Sequence, residues 1–432
     1  MLSNFGVCVV GLNMLIEFSL KNFRSIKDRV TLSMVATSAQ EIASTHLIPT
    51  NLSFSLLPSA VIYGANAAGK SNVIRGFQQM RNIVAGSSVK TQRGDGFDVT
   101  PHLFDAETAS APTEMEVIFI GGDGVRYQYG FSVTEEIVHD EWLFAYPKGR
   151  QQTWFSRIYD SETRSKEIKT GPKFLGDQRV ISSWINQTRE NALFLSTAIQ
   201  LNNQQLQPVF DWFRFRHVQT ATVDAFLQSR FAEKILMTMQ SADLGVDGLH
   251  VVREEVASQY AIDGLSEDRH GFLAAKTVHR TKEGNEVFLD MTEASQGTKL
   301  FFQFIGPWYD ALSNGGVVVV DELNGSLHPF LFHYLVAMFN DPEINTGAGQ
   351  LIFTTHDTTL LDQSKLRRDQ VWFVEKRYDN STDLYPLTEF SPRKGRDNIQ
   401  QNYLMGRYGA LPDLKDIVTG MGEIGGQRQS SS

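Results

Sequence analysis

One cysteine, Cys8, is all that the 432-residue chain carries. A lone thiol excludes an intrachain disulfide and any cysteine-based metal cluster, and it suits a reducing cytoplasm. No apolar run approaches the roughly 18 residues that a membrane span needs, so no membrane partner is expected. Positive charge is scarce as well: 40 Lys and Arg stand against 49 Asp and Glu, a net charge of −9. That balance argues against a broad basic face for nucleic acid, although a local patch is still compatible with it. The two short basic clusters, Lys365 with Arg367 and Arg368, and Arg393 with Lys394 and Arg396, read as solvated surface. Internal repeats and heptads long enough for a coiled coil are both missing. Residues 1–13 lack the basic start and cleavage site of a signal peptide and read as an extension ahead of a start at Met14. Residues 418–432, rich in Gly, Gln and Ser, read as a disordered tail.

What the chain does have is Gly-Ala-Asn-Ala-Ala-Gly-Lys-Ser at 64–71, which fits G-x-x-x-x-G-K-[ST] at every fixed position. Ala60 to Tyr63 ahead of it is a short apolar run typical of a buried strand. Behind it, apolar residues at 73, 74, 77 and 80 have a helical period. A strand, a glycine loop and a helix start together aim backbone N–H groups at an anion. Gly64, Asn66, Ala67, Ala68, Gly69, Lys70, Ser71 and Asn72 are therefore the expected nucleotide-binding residues. Lys70 is expected to reach the outer phosphates, and the Ser71 hydroxyl to coordinate Mg²⁺.

Three further segments carry chemistry. Val317 to Val320 is a buried strand that ends in Asp321 and Glu322. Asp321 is placed to hold Mg²⁺, and Glu322 to polarise a water for attack on the γ-phosphate. Gln350 to Thr354 is a second buried strand, leading to His356, which can meet the charge that develops on that phosphate. The remaining histidines, among them His46 and His102, read as surface or packing residues. Glu293 to Lys299, with Ser295 and Gly297, opens a helix; read alone it is only a helix start.

Taken in order, these segments resemble the ATP-binding-cassette class. They are the phosphate loop, a Ser-x-Gly helix start about 26 residues ahead of the Asp-Glu pair, and the histidine strand. Within that class the chain is similar to SMC- and RecF-like ATPases and to the bacterial "AAA family" ATPases of phage-defence and abortive-infection operons, the RloA-like group. The likeness is carried by Leu15 to Ser25, Tyr63 to Asn72, Ser295 to Thr298, Asp321 to Leu323, Ser326 to Pro329, Thr355 to Asp357 and Gly406 to Ala410.

The resemblance implies ATP and Mg²⁺ as cofactors and an ATP-dependent homodimer or higher oligomer. In it, Ser295 and Gly297 of one subunit would contact the γ-phosphate held by another. It also implies an α/β fold, a P-loop NTPase of ABC-ATPase type, with a mixed central sheet, an antiparallel β subdomain and a helical insertion. The expected divisions are an ATPase lobe with the phosphate loop and antiparallel strands at 14–175, the helical insertion at 176–245, and returning strands with the second lobe at 246–417. Ala294 and Asn324 depart from the class pattern, and Gln92 is only a loose match to its glutamine loop.

About 75 residues follow His356, too few for a nuclease domain of ordinary size as well as the closing elements. The function expected is thus an ATP-hydrolysing sensor or regulator for a separately encoded effector protein, in phage defence. The alternative is a RecF- or SMC-like repair ATPase that binds DNA directly.

Overall fold

A computed structural model describes residues 13–90, 92, 94–160, 162–163, 165–215, 217–218, 237, 247–255, 271–325, 327–393 and 395–412. The expected extension at 1–13 (apart from residue 13), the tail expected to be disordered at 418–432, most of Val223 to Met239, whose apolar spacing reads as one face of a helix, Ser326 and Lys394 lie outside these residues.

Short runs of β-branched residues build the centre. Ser59–Gly64, Val317–Val320 and Gln350–Thr354 are buried at every position, as strands covered on both faces must be. They belong to a six-stranded sheet ordered Thr382–Pro386, Val371–Lys376, Ser59–Gly64, Gln350–Thr354, Val317–Val320 and His217–Val218. Every pair in it is parallel except the outermost hairpin, Val371–Lys376 with Thr382–Pro386. Successive side chains point to opposite faces. Accordingly, Ala60, Ile62, Val317, Val319 and Ile352 enter one core, and Val61, Tyr63, Val318, Val320 and Phe353 enter the other. Two strands separated by more than two hundred residues of chain thus share one sheet.

The second sheet is antiparallel and has seven strands: Val30–Ser33, Met14–Lys21, Thr113–Ile120, Arg126–Val133, Val138–Tyr146, Gln152–Asp160 and Ser165–Thr170. The helix Lys70–Gly86 packs against both sheets through Val73, Ile74, Phe77, Met80 and Val84. Phe77 meets Phe18 of the antiparallel sheet edge-on, with ring centroids 5.1 Å apart. Gly76 is what permits this approach, because a Cβ there would lie 2.3 Å from Leu20 Cδ2. Three helices, Gln178–Gln187, Phe194–Gln200 and Gln207–Phe215, and the central-sheet strand His217–Val218 fall in the segment expected as a helical insertion. The buried Glu141 carboxylate ties the insertion to the sheet by accepting from Phe194 N (2.6 Å), Leu195 N (3.0 Å) and the Tyr129 hydroxyl (3.0 Å). Gly248–Glu255, Gly271–Arg280 and Glu286–Asp290 make a small third sheet. The fold is α/β with a mixed central sheet, an antiparallel β subdomain and inserted helices. No helix among the described residues is long and apolar enough to cross a membrane.

Two expectations are corrected. Alternation of helix and strand in the last third of the sequence predicts a helix from Thr358, where the structure has two 3-10 turns, Thr358–Leu360 and Arg368–Gln370. Asp357 accepts from Thr359 N and Asp362 from Ser364 N, at 2.8 Å each. Such side chains offer the backbone a local alternative to the helical ladder. The basic cluster is not a solvated face either. Arg367 is 0% exposed, pairs with Asp369 at 2.7 Å, and donates to the Ala39 and Glu41 carbonyls at 2.9 and 2.8 Å. Arg368 forks onto the Glu41 carboxylate at 2.6 and 3.0 Å. Arg367→Ala would leave the buried Asp369 carboxylate without its countercharge, held among the described residues by Thr37 alone, and the Glu41 carbonyl without its guanidinium donor. It is expected to lower unfolding stability by about 3–5 kcal/mol, read from urea denaturation.

Candidate nucleotide site

The phosphate loop turns on two residues with positive φ, Ala67 at 62° and Gly69 at 114°. Gly69 is fixed by space as well as conformation, since a Cβ there would sit 2.2 Å from Thr382 Oγ1 and 2.9 Å from Ser25 Oγ. Those two hydroxyls brace the loop from behind. Thr382 Oγ1 lies 2.8 Å from the Ala68 carbonyl and 2.7 Å from Ser25 Oγ, and Thr382 N donates to Ser25 O at 2.7 Å. Asn72 Nδ2 donates to the same Ser25 Oγ at 2.7 Å. The Asn72 amide is therefore engaged in bracing, although the residue also borders the cavity in front.

That cavity measures about 330 Å³ and is lined by Ala65, Asn66, Ala67, Gly69, Lys70, Ser71, Asn72, Arg75, Glu322 and His356. Gly64 and Ala68, both expected among the binding residues, do not line it. Gly64 contributes its carbonyl, which accepts from Lys70 Nζ at 2.8 Å. Ala68 is buried, and its N–H turns inward to the Ala65 carbonyl at 3.3 Å. The Lys70 ammonium is also held by the Ala65 carbonyl, at 3.0 Å. Burial pushes its pKa down, against the attraction of Glu322 and Asp321.

The opposite wall comes from the neighbouring parallel strands. Thr354 Oγ1 donates to Asp321 Oδ1 at 2.6 Å and accepts from Glu322 N at 2.7 Å, so one hydroxyl fixes both acidic residues. Glu322 takes a left-handed conformation, φ 52°, which turns it out of the strand line into the cavity wall. Beside it the Thr355 hydroxyl donates to Asn324 Oδ1 at 2.9 Å. An amide at 324 thus fills an acceptor role that an aspartate could equally fill. His356 has its pKa lowered by burial first and by the Lys70 charge second, with Glu322 and Asp321 opposing. A histidine held below its ordinary value is neutral at pH 7 and can hydrogen-bond an oxyanion.

Oxygen donors suit a hard divalent cation. The Ser71 hydroxyl borders the cavity, and Asp321 keeps a second carboxylate oxygen beyond the one that Thr354 holds. Among the described residues no group of three or more His, Cys, Asp or Glu could hold a metal unaided. The donor set fits Mg²⁺, which takes one or two protein oxygens and completes its shell with phosphate and water.

Ser295 and Gly297 are not part of this wall. Ser295 is exposed and caps the helix Gln296–Asn314, its Oγ accepting from Thr298 N at 3.1 Å. Gln92 is also elsewhere, its carbonyl accepting from Asn191 Nδ2 at 2.7 Å. Sequence reasoning missed Arg75, Thr354, Ser25 and Thr382. Arg75 had a readable signal, because it lies four residues after Ser71 on the same helix face. Thr382 had none: its place behind the loop depends on a strand more than three hundred residues away.

A family model described as "AAA domain, putative AbiEii toxin, Type IV TA system" matches residues 59–362. No curated protein matches the chain. Similar solved structures include an SMC head bound to the C-winged helix domain of ScpA, 14% identical over 87% of this chain and 99% of that one, with a TM-score of 0.38. Another is the SMC head domain from Thermotoga maritima, 13% identical over 86% and 98%, at 0.35. A third is the recombination mediator RecF with ATP, from the RecFOR pathway, 14% identical over 87% and 98%, at 0.36.

Proposed function

The chain belongs to the family of AAA domains described as putative AbiEii toxin, Type IV TA system, and from that membership we propose that it binds and hydrolyses ATP as an ATP-closed dimer. The observation that carries this reading is the shared cavity. Lys70, Ser71, Glu322 and His356 come from three distant stretches of chain and line one space of about 330 Å³.

The phosphates lie against the loop N–H groups and the start of the helix Lys70–Gly86, with Lys70 neutralising their charge. Mg²⁺, held by Ser71 and Asp321, would supply further charge neutralisation at the phosphate oxygens. Glu322 takes a proton from a water whose oxygen bonds to the γ-phosphorus. The bond from that phosphorus to the β–γ bridging oxygen breaks, leaving ADP and inorganic phosphate. His356 hydrogen-bonds the γ-phosphate as its charge shifts.

Ser295 and Gly297 stand outside their own chain's cavity on an exposed helix start, a position suited to the nucleotide of a second copy. Ser295→Arg is expected to leave ATP affinity of the monomer within about twofold and to lower turnover by at least about 100-fold, as loss of a transition-state donor does. Equilibrium binding and phosphate release measured on the same preparation check this. Unchanged turnover would remove Ser295 from the site.

Closure of such a dimer is a switch, and we take its output to be a separately encoded effector in phage defence, as in RloA-like systems, within a reducing cytoplasm. The charge distribution supports this over direct DNA binding. Net charge is −9, Arg367 is buried, and Arg368 is neutralised by Glu41.

A further inference from the structure

The phosphate cavity offers a nucleotide's base no surface to rest on. Its walls are loop backbone and polar side chains, with His356 the only ring. Sheet order then dictates a direction. Glu322 and His356 follow strands on one side of Ser59–Gly64, so a γ-phosphate placed between them and Lys70 points the rest of the nucleotide to the other side. There the strand Val371–Lys376 runs parallel to Ser59–Gly64 and carries its hairpin turn past the phosphate loop. Between loop and turn lies a second cavity of about 890 Å³, which shares Ala65 and Asn66 with the first.

We propose that this second cavity takes the ribose and base, with Tyr378 as the stacking ring; the proposal rests on the phosphate-loop reading above. Tyr378 lies at the hairpin turn and is fully exposed, at 110% of reference, so its ring is covered by nothing in its own chain. Aromatic rings in water stack on bases whatever the base, because every base has a π face. The rim is polar and mixed in charge: Glu375, Asp379 and Asp383 border the cavity together with Lys376 and Arg377, and Arg377 pairs with Asp383 at 2.8 Å. Carboxylates accept from ribose hydroxyls and exocyclic amines. The site thus offers a base an uncovered ring and offers ribose hydroxyls carboxylate acceptors.

The test is calorimetric binding of ATP and of inorganic tripolyphosphate, each with Mg²⁺, to the full chain and to Tyr378→Ala and Tyr378→Trp. Tyr378→Ala is expected to weaken ATP on the order of tenfold and to leave tripolyphosphate unchanged, with Tyr378→Trp restoring ATP binding. A fully exposed side chain can be removed without loss of folding, which a thermal melt verifies. Equal losses for both ligands, or no loss for ATP, would overturn the proposal. A native chain that binds tripolyphosphate as tightly as ATP would overturn it alone. A native chain that binds neither would overturn the phosphate-loop reading with it.

Discussion

Glu322→Gln is expected to retain ATP binding and to lose turnover by about 10²–10⁴-fold, the range that general-base catalysis supplies. The substitution removes the proton acceptor and little else. The hydrogen bond that fixes residue 322 runs from its backbone N–H to Thr354 Oγ1, not from its carboxylate. Its side chain borders the cavity and is exposed, so an amide of the same shape creates no buried orphan. Phosphate release under saturating ATP measures the loss, and equilibrium binding measures what survives. Should native and variant chains turn over equally slowly, Glu322 is not the base and the chain is a nucleotide-binding scaffold.

Lys70→Ala is expected to act earlier, on binding itself. The Lys70 ammonium is held by the loop carbonyls of Gly64 and Ala65, and it sits under the loop that would carry the phosphates. Removing charge-assisted bonds of about 1.5–3 kcal/mol each, for two phosphate contacts, weakens ATP by roughly 10²-fold or more. The Gly64 and Ala65 carbonyls each lose a charged donor, so some stability goes with it. Thermal melts without nucleotide separate that effect from the loss of affinity. Nucleotide affinity within a few fold of native would contradict the phosphate loop as the binding element.

Much of the nucleotide site was legible because its signals are local. A strand, a glycine loop and a helix occupy adjacent residues, and Val317 to Val320 announces its burial by composition alone. What joins these parts was legible only by analogy, since nothing in residues 59–71 specifies pairing with Gln350–Thr354. The bracing of the loop by Ser25 and Thr382 was hidden for the same reason. Arg367 shows the limit most plainly. A basic triplet normally faces water, yet here Asp369 lies two residues on and the Ala39 and Glu41 carbonyls arrive from the far end of the chain. Charge count could not reveal a buried, fully partnered guanidinium, because the partners that make burial tolerable are set by tertiary structure. The segment after Thr358 fails differently. Its apolar spacing permits a helix, but Asp357 and Asp362 cap the backbone locally and win over short distances.

In the proposed dimer, one chain's Ser295 closes on ATP held by another chain's Lys70. The most direct measurement is the light-scattering mass of Glu322→Gln with and without ATP and Mg²⁺. Twice the chain mass is expected with nucleotide, the chain mass without it, and the chain mass in both conditions once Ser295→Arg is added. A Glu322→Gln chain that binds ATP and stays monomeric would contradict it.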